Sequence, residues 1–390
     1  MISRRQFVCG CVATATYSAL RQSVYALDWR ETPRLERPDI NSDEGGLWAL
    51  VEREEEKLKF SSALLKNADL HQYVSGIVCK LAGDHCRDLR VYLVRNPFFN
   101  ASMAPNGMMQ VWSGLLLRMS NEAQLAAVLA HEIGHYLARH SIEGLRDAKS
   151  KSAFAQFVGV ALSAAGAGGV ASIAQMGILA SMFAHTRDQE RQADMIGLEL
   201  MHRAGYDATA AAKVWEQLLQ EASKGGDVQR DFLFATHPAS EERHQSLSDA
   251  ALKLTNRVEG AVFAERYQKH LSPVRLQLLQ DEIRKRTPDT SLVLFDRLLS
   301  EMPDDAQIWY AKGEVLRIRS SGSDLTDSVD CYRKAQKLSG VPDDCYRSLG
   351  LVYRQTGNAE AAQLSFREYL KRCPQSSDAA MIKSYMEDVR

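Results

Sequence analysis

The stretch "AHEIGHYLARH", residues 130–140, decides how the rest of the chain is read. His131 and His135 stand four apart with Glu132 directly after the first. Asn121, with Gln124 three residues on, has capping-box spacing and predicts that a helix begins just before the stretch. Residues i and i+4 share a helix face, so both histidines point the same way and can bind one metal ion. Glu132 lies one step round, placed to take a proton from a water at that metal. A catalytic zinc needs three protein ligands and one open position, and this motif supplies two. The third ligand therefore separates a metal centre from a helix that merely carries histidines. His140 is five residues past His135 and on a continuous helix faces elsewhere. A metzincin would need Gly at 138 and His at 141, where this chain has Ala138 and Ser141.

The third ligand is sought in "HTRDQERQADMIG", residues 185–197. Glu190 and Asp194 are again i and i+4, on a helix predicted from Arg187 to Ala204 and closed by Gly205. One carboxylate can bind the metal, and the other can accept the free ring N–H of a ligand histidine and so fix its tautomer. This spacing is common on solvated helix faces, but here it follows an H-E-x-x-H on a helix able to pack beside the first. His185 is the reserve ligand.

"HEIGH" followed by "ERQAD", with "NASMAPNG" (100–107) and "THPASEER" (236–243), resembles the M48 metallopeptidases, a zinc-dependent gluzincin group, over roughly residues 45–260. The resemblance implies a gluzincin-type domain, one Zn2+ per chain, and peptide-bond hydrolysis. Carried over by position, His131, His135 and Glu190 are ligands, Glu132 is the general base, and Asp194 partners a ligand histidine. His237 and Arg243 match the family's His-Pro and following Arg. Two roles for His237 stay open. It can donate to an oxyanion, with Arg243 holding its loop, or it can occupy the open zinc position as a neutral ligand. "RVYLV" (90–94) and "MMQVW" (108–112) read as short strands, the second as an edge on which a substrate backbone is added.

Organisation follows from composition. The chain has 390 residues, which favours two domains over one. Lys+Arg is 48 and Asp+Glu is 49, and without a basic excess or stripe nucleic acid is set aside. Residues 1–26 read as a cleaved secretory signal ending near Ala26, and "SRRQFV" with Arg4 and Arg5 gives it a twin-arginine character. A membrane anchor there is disfavoured because the run is short and polar. Residues 27–45 read as a linker and 46–265 as the metallopeptidase domain. Cys79 and Cys86 are near enough in sequence to pair in an oxidising compartment. Residues 152–184 carry no formal charge, but three glycines in "AAGAGGVAS" break them into two segments too short to span a bilayer, leaving peripheral membrane contact open.

From about residue 275 to 390 the texture is that of tetratricopeptide repeats. Tyr346, Leu349, Gly350, Tyr353, Gly357, Ala362, Phe366 and Pro374 fall on the expected positions of one unit. Trp309, Gly313, Tyr332 and Ala335 fit a preceding unit if "SSGSDL" holds a small insertion. The expected fold is mainly α, with a small β-sheet in the first domain. Taken with the signal and the repeats, the resemblance to the M48 metallopeptidases implies a periplasmic zinc endopeptidase in quality control of unfolded or misassembled envelope proteins. Its repeats would bind polypeptide substrates or the outer-membrane assembly machinery. The alternative is a periplasmic chaperone or scaffold in which the repeats dominate and proteolysis is rare.

Overall fold

The structure is a computed structural model, and it describes residues 29–31, 36–149, 185–224, 237, 241–255 and 260–388. The signal segment and the uncharged 152–184 stretch lie outside the described residues. Among the described residues the fold is mainly helical with one small sheet.

Helix α1 (Asp43–Lys59) begins inside the segment read as linker, because the Ser42 side chain accepts the Gly45 N–H and starts the helix. Helix α2 (Ala68–Ala82), capped by Asn67, buries Leu70, Val74, Ile77, Val78 and Leu81 on one face. It ends at Gly83, whose φ of 57° turns the chain into a short 3-10 segment, Gly83–Asp88. A disulfide between Cys79 and Cys86 ties that segment back to α2.

Strands β1 (Arg90–Val94), β2 (Ala101–Met103) and β3 (Met108–Trp112) form a sheet in the order β1-β3-β2. β1 runs parallel to β3, pairing Arg90 with Met108 and Val94 with Trp112. β2 is antiparallel to β3, pairing Ala101 with Val111 and Met103 with Met109. This corrects the edge-strand reading of "MMQVW". β3 is the central strand, hydrogen-bonded on both sides and buried at all five residues, so it has no free edge for a substrate. The edges belong to β1 and β2.

Helix α3 (Ser113–Arg118) leads into α4 (Glu122–Leu137), which carries the H-E-x-x-H motif. The Asn121 side chain accepts the Gln124 N–H, as the spacing predicts, while Gln124 Oε1 accepts the N–H of Ser120. Helix α5 (His140–Lys149) follows, then α6 (Arg187–Arg203), α7 (Ala210–Lys224) and α8 (Glu241–Thr255). α4 and α6 cross at two glycines. A Cβ on Gly134 would stand 2.8 Å from the Ala193 carbonyl oxygen, and one on Gly197 would stand 3.1 Å from the His131 nitrogen. Side-chain-free crossing points let the two backbones approach closely enough for their functional side chains to meet.

The remaining helices are α9 (Ala264–Arg284), α10 (Pro288–Glu301), α11 (Ala306–Arg319), α12 (Asp324–Gln336), α13 (Asp344–Gln355), α14 (Ala359–Arg372) and α15 (Ala379–Asp388). Leu278, Leu294, Phe295, Ile308 and Val315 belong to the same buried apolar cluster as Leu115, Leu129 and Ile133. A second cluster fills α11–α15 with Tyr310, Tyr332, Leu349, Phe366 and Ile382. No helix of the described residues is long and apolar enough to cross a membrane.

Candidate metal centre

α4 presents His131, Glu132 and His135, and α6 presents Glu190 and Asp194, all buried. Thr186 caps α6 in a full capping box with Gln189, which sets the phase that turns Glu190 inward. His131 Nε2 lies 3.0 Å from His135 Nε2 and 3.5 Å from Glu190 Oε2, and His135 Nε2 lies 3.4 Å from Glu190 Oε1. His237 joins them, its Nδ1 3.2 Å from His131 Nε2 and 3.0 Å from Glu190 Oε1. One donor atom from each of these four residues lies within 4.8 Å of the other three.

This donor set fits a zinc ion. Bonds of about 2.0–2.2 Å in a tetrahedron put neighbouring donors roughly 3.3–3.6 Å apart, close to the 3.0–3.5 Å found here. Three ring nitrogens and a carboxylate oxygen aimed at one buried spot are a poor arrangement unless positive charge sits between them.

A second ring of contacts holds the set. Asp194 Oδ1 lies 2.9 Å from His131 Nδ1. Arg243, on α8, donates Nε and Nη2 to the two Asp194 oxygens at 2.7 and 2.8 Å, and its Nη1 lies 2.6 Å from Glu190 Oε2. The Trp215 ring covers the guanidinium, 4.5 Å from its centroid. Burial works against a charged His131, yet Asp194 and Glu190 outweigh it and push the ring up to about 10. The site thus favours positive charge at that ring. Burial also opposes ionisation of Glu190 and Asp194. His131, His135 and His237 keep the Glu190 carboxyl low, and Arg243 with His131 does the same for Asp194. Glu132 goes the other way: burial raises its carboxyl, and its Oε1 is 3.3 Å from His237 Nε2. Burial pushes His135 well below the usual histidine range and His185 down to about 3.

Two residues stand where sequence reading did not put them. His140 does not face away. The chain breaks after α4 with Arg139 in the left-handed region at φ 58°, and α5 restarts so that His140 Nδ1 lies 2.9 Å from His135 Nδ1. An arginine at such a break leaves no signal, since glycine is the residue that marks it. His185, the reserve ligand, stacks on His135 at 3.7 Å between ring centroids and is outside the four-residue set. A small pocket opens beside His131 and Glu132, walled by Phe99, Val128, Leu198, Met201, Val214 and Trp215.

Residues 64–251 match peptidase family M48. The chain carries a peptidase M48 domain. The mitochondrial metalloendopeptidase OMA1 of Saccharomyces cerevisiae is 35% identical over 164 residues, 40% of this chain and 46% of that protein. The β-barrel assembly-enhancing protease of Escherichia coli is 30% identical over 205 residues, 50% of this chain and 41% of that protein. A putative β-barrel assembly-enhancing protease of Vibrio cholerae is 26% identical over 257 residues, 61% of this chain and 50% of that protein. The chain spans half or less of the length of these relatives. The M48 match contains α4, α6 and all seven residues named above: His131, Glu132, His135, Glu190, Asp194, His237 and Arg243.

Proposed function

We propose that this protein is an exported zinc-dependent endopeptidase acting on unfolded or misassembled envelope proteins in the periplasm. The observation that carries the reading is the convergence of His131, His135 and Glu190 at zinc-ligand separations, with Glu132 beside them. Bound by these three residues, one zinc ion supplies Lewis acidity toward a peptide carbonyl and its attacking water. Glu132, its proton affinity raised by burial, takes a proton from that water and returns it to the leaving amine. Asp194 orients His131, and Arg243 holds Asp194 and Glu190 in register. The free edge of β2 runs into the apolar pocket through Phe99, Asn100 and Ala101, so an extended substrate is taken to pair there with a side chain in the pocket.

His237 has two possible roles, and its position supports one of them. Its Nδ1, 3.2 Å from His131 Nε2 and 3.0 Å from Glu190 Oε1, would join the other three residues in holding a zinc ion, and this conformation is read as a closed, resting one. The C-terminal helices are read as tetratricopeptide units that bind substrate or an assembly partner. Gly313 meets the Tyr332 ring and Gly350 meets the Phe366 ring in the same way, the close packing such units require. The periplasmic location is read from the signal-like residues 1–26.

The test is Glu132→Gln. The variant is expected to keep its zinc and lose hydrolysis of an unfolded polypeptide by about 10²–10⁴-fold. Undiminished hydrolysis would remove Glu132 from the chemistry. Undiminished cellular function without hydrolysis would favour a scaffold.

A further inference from the structure

His135 has both ring nitrogens engaged. Nε2 faces His131 and Glu190, and Nδ1 faces His140 Nδ1 at 2.9 Å. His140 is itself buried, and its Nε2 lies 3.1 Å from Gln192 Oε1. His185 lies over His135. Three histidines this close are either a second metal site or a hydrogen-bonded chain. Ring geometry decides between them. The His185 and His135 rings are stacked only 20° from parallel, so their in-plane lone pairs run side by side and do not converge on a common ion. A second ion would also require His135 to give a nitrogen to each metal and so to lose both ring protons.

As a chain, the contacts specify where each proton sits. Two facing Nδ1 atoms 2.9 Å apart need one proton between them. The Gln192 carbonyl oxygen only accepts, so His140 donates from Nε2 and its Nδ1 is left as an acceptor. His135 must then donate from Nδ1, which leaves its Nε2 bare and aimed at the donor cluster. With the opposite tautomer, Nε2 would carry a proton and could not ligate.

We propose that His140 and Gln192 act as positioning residues that lock His135 in its metal-binding tautomer, a role that rests on the zinc reading of the site. The two ligand histidines are then held by different means. His131 is oriented by an anion, Asp194, itself fixed by Arg243. His135 is oriented by a neutral chain from α5 to Gln192 on α6. Gln192 thus serves the site from the helix face next to Glu190 and Asp194.

The test is zinc affinity, measured by competition with a chromophoric chelator on the full mature chain. His140→Leu and Gln192→Leu are each expected to weaken zinc about 10–100-fold, while His140→Asn, whose side-chain oxygen can stand where Nδ1 stood, stays within about threefold. Leu variants that bind as tightly as the parent would overturn the proposal. So would His140→Asn losing as much as His140→Leu, because the acceptor would then be irrelevant. Should His140→Leu fail to fold, Gln192→Leu and a second measurement decide. Ring-nitrogen NMR of the metal-free protein reads the His135 tautomer directly, and a proton found on Nε2 would sink the idea. A parent protein that binds no zinc would instead remove the zinc reading, and the tautomer measurement would still report on the chain.

Discussion

His237 places its two ring nitrogens between the proposed metal ligands and the proposed base, Nδ1 at 3.0 Å from Glu190 and Nε2 at 3.3 Å from Glu132. On the proposed zinc reading, a side chain so placed would keep water and substrate away from the metal. His237→Ala is therefore expected to raise basal cleavage of an unstructured peptide, or to cause self-cleavage. A fall of about 10²–10³-fold would instead assign it to oxyanion stabilisation, and an unchanged rate would leave it neither role. Glu190→Ala is expected to abolish stoichiometric zinc, read by metal analysis of purified protein. At this scale much of the site was legible in the sequence. His131 with His135, and Glu190 with Asp194, share a helix face by period alone. The pairing of His140 with Gln192 was not legible, because the place of His140 depends on a left-handed arginine between two helices that one sequence pattern reads as continuous.

Elements differ in how much of themselves they announce. β2 is three residues long and gives too little alternation to be seen. β3 was read as an edge, although its unbroken burial is the mark of a strand with neighbours on both sides. Among the C-terminal helices, Glu314 on α11 shows how buried charge supports an element. Its carboxylate accepts from Arg317 at 2.8 and 3.1 Å and from the Tyr332 hydroxyl on α12. Burial would raise this carboxyl, but the Arg317 bonds win and hold it low. Because the folded value lies below the unfolded one, its contribution is fully present above the unfolded carboxylate range of about 4.3 and is lost as pH falls through the folded value. Urea unfolding should show Glu314→Gln weaker than the parent by roughly 1–3 kcal/mol at neutral pH. The gap should narrow in acid, and a gap that stays constant with pH would contradict the argument. Reduction of Cys79–Cys86 closes a comparable account for α2, where the short loop implies a loss of about 2–3 kcal/mol. Alkylation mass shifts with and without reductant would report the bond.

Across the whole molecule, the change in sequence texture near residue 275 does not coincide with a break in the packing. α9 runs from Ala264 to Arg284 through that point, and the apolar cluster beneath the metal site continues into α10 and α11. Arg118 shows why the two regions hold together. Fully enclosed, it donates Nε to Glu221 on α7 at 2.8 Å and reaches Glu282 on α9 with Nη1 and Nη2, both at 3.2 Å. Burial works against its charge, and the two carboxylates keep it ionised. No periodicity in α3 marks that arginine as the joint, since its partners are 103 and 164 residues away in sequence. Replacing it with methionine keeps much of the volume but leaves Glu221 and Glu282 buried without their shared cation. Removing one partner of such a network costs about 3–5 kcal/mol, far more than a surface pair. Calorimetry of the parent should then show the M48 domain and the first C-terminal helices melting together, and Arg118→Met should lower that shared transition as one. If the two regions melt separately, or if only one shifts in the variant, the continuous core does not couple them.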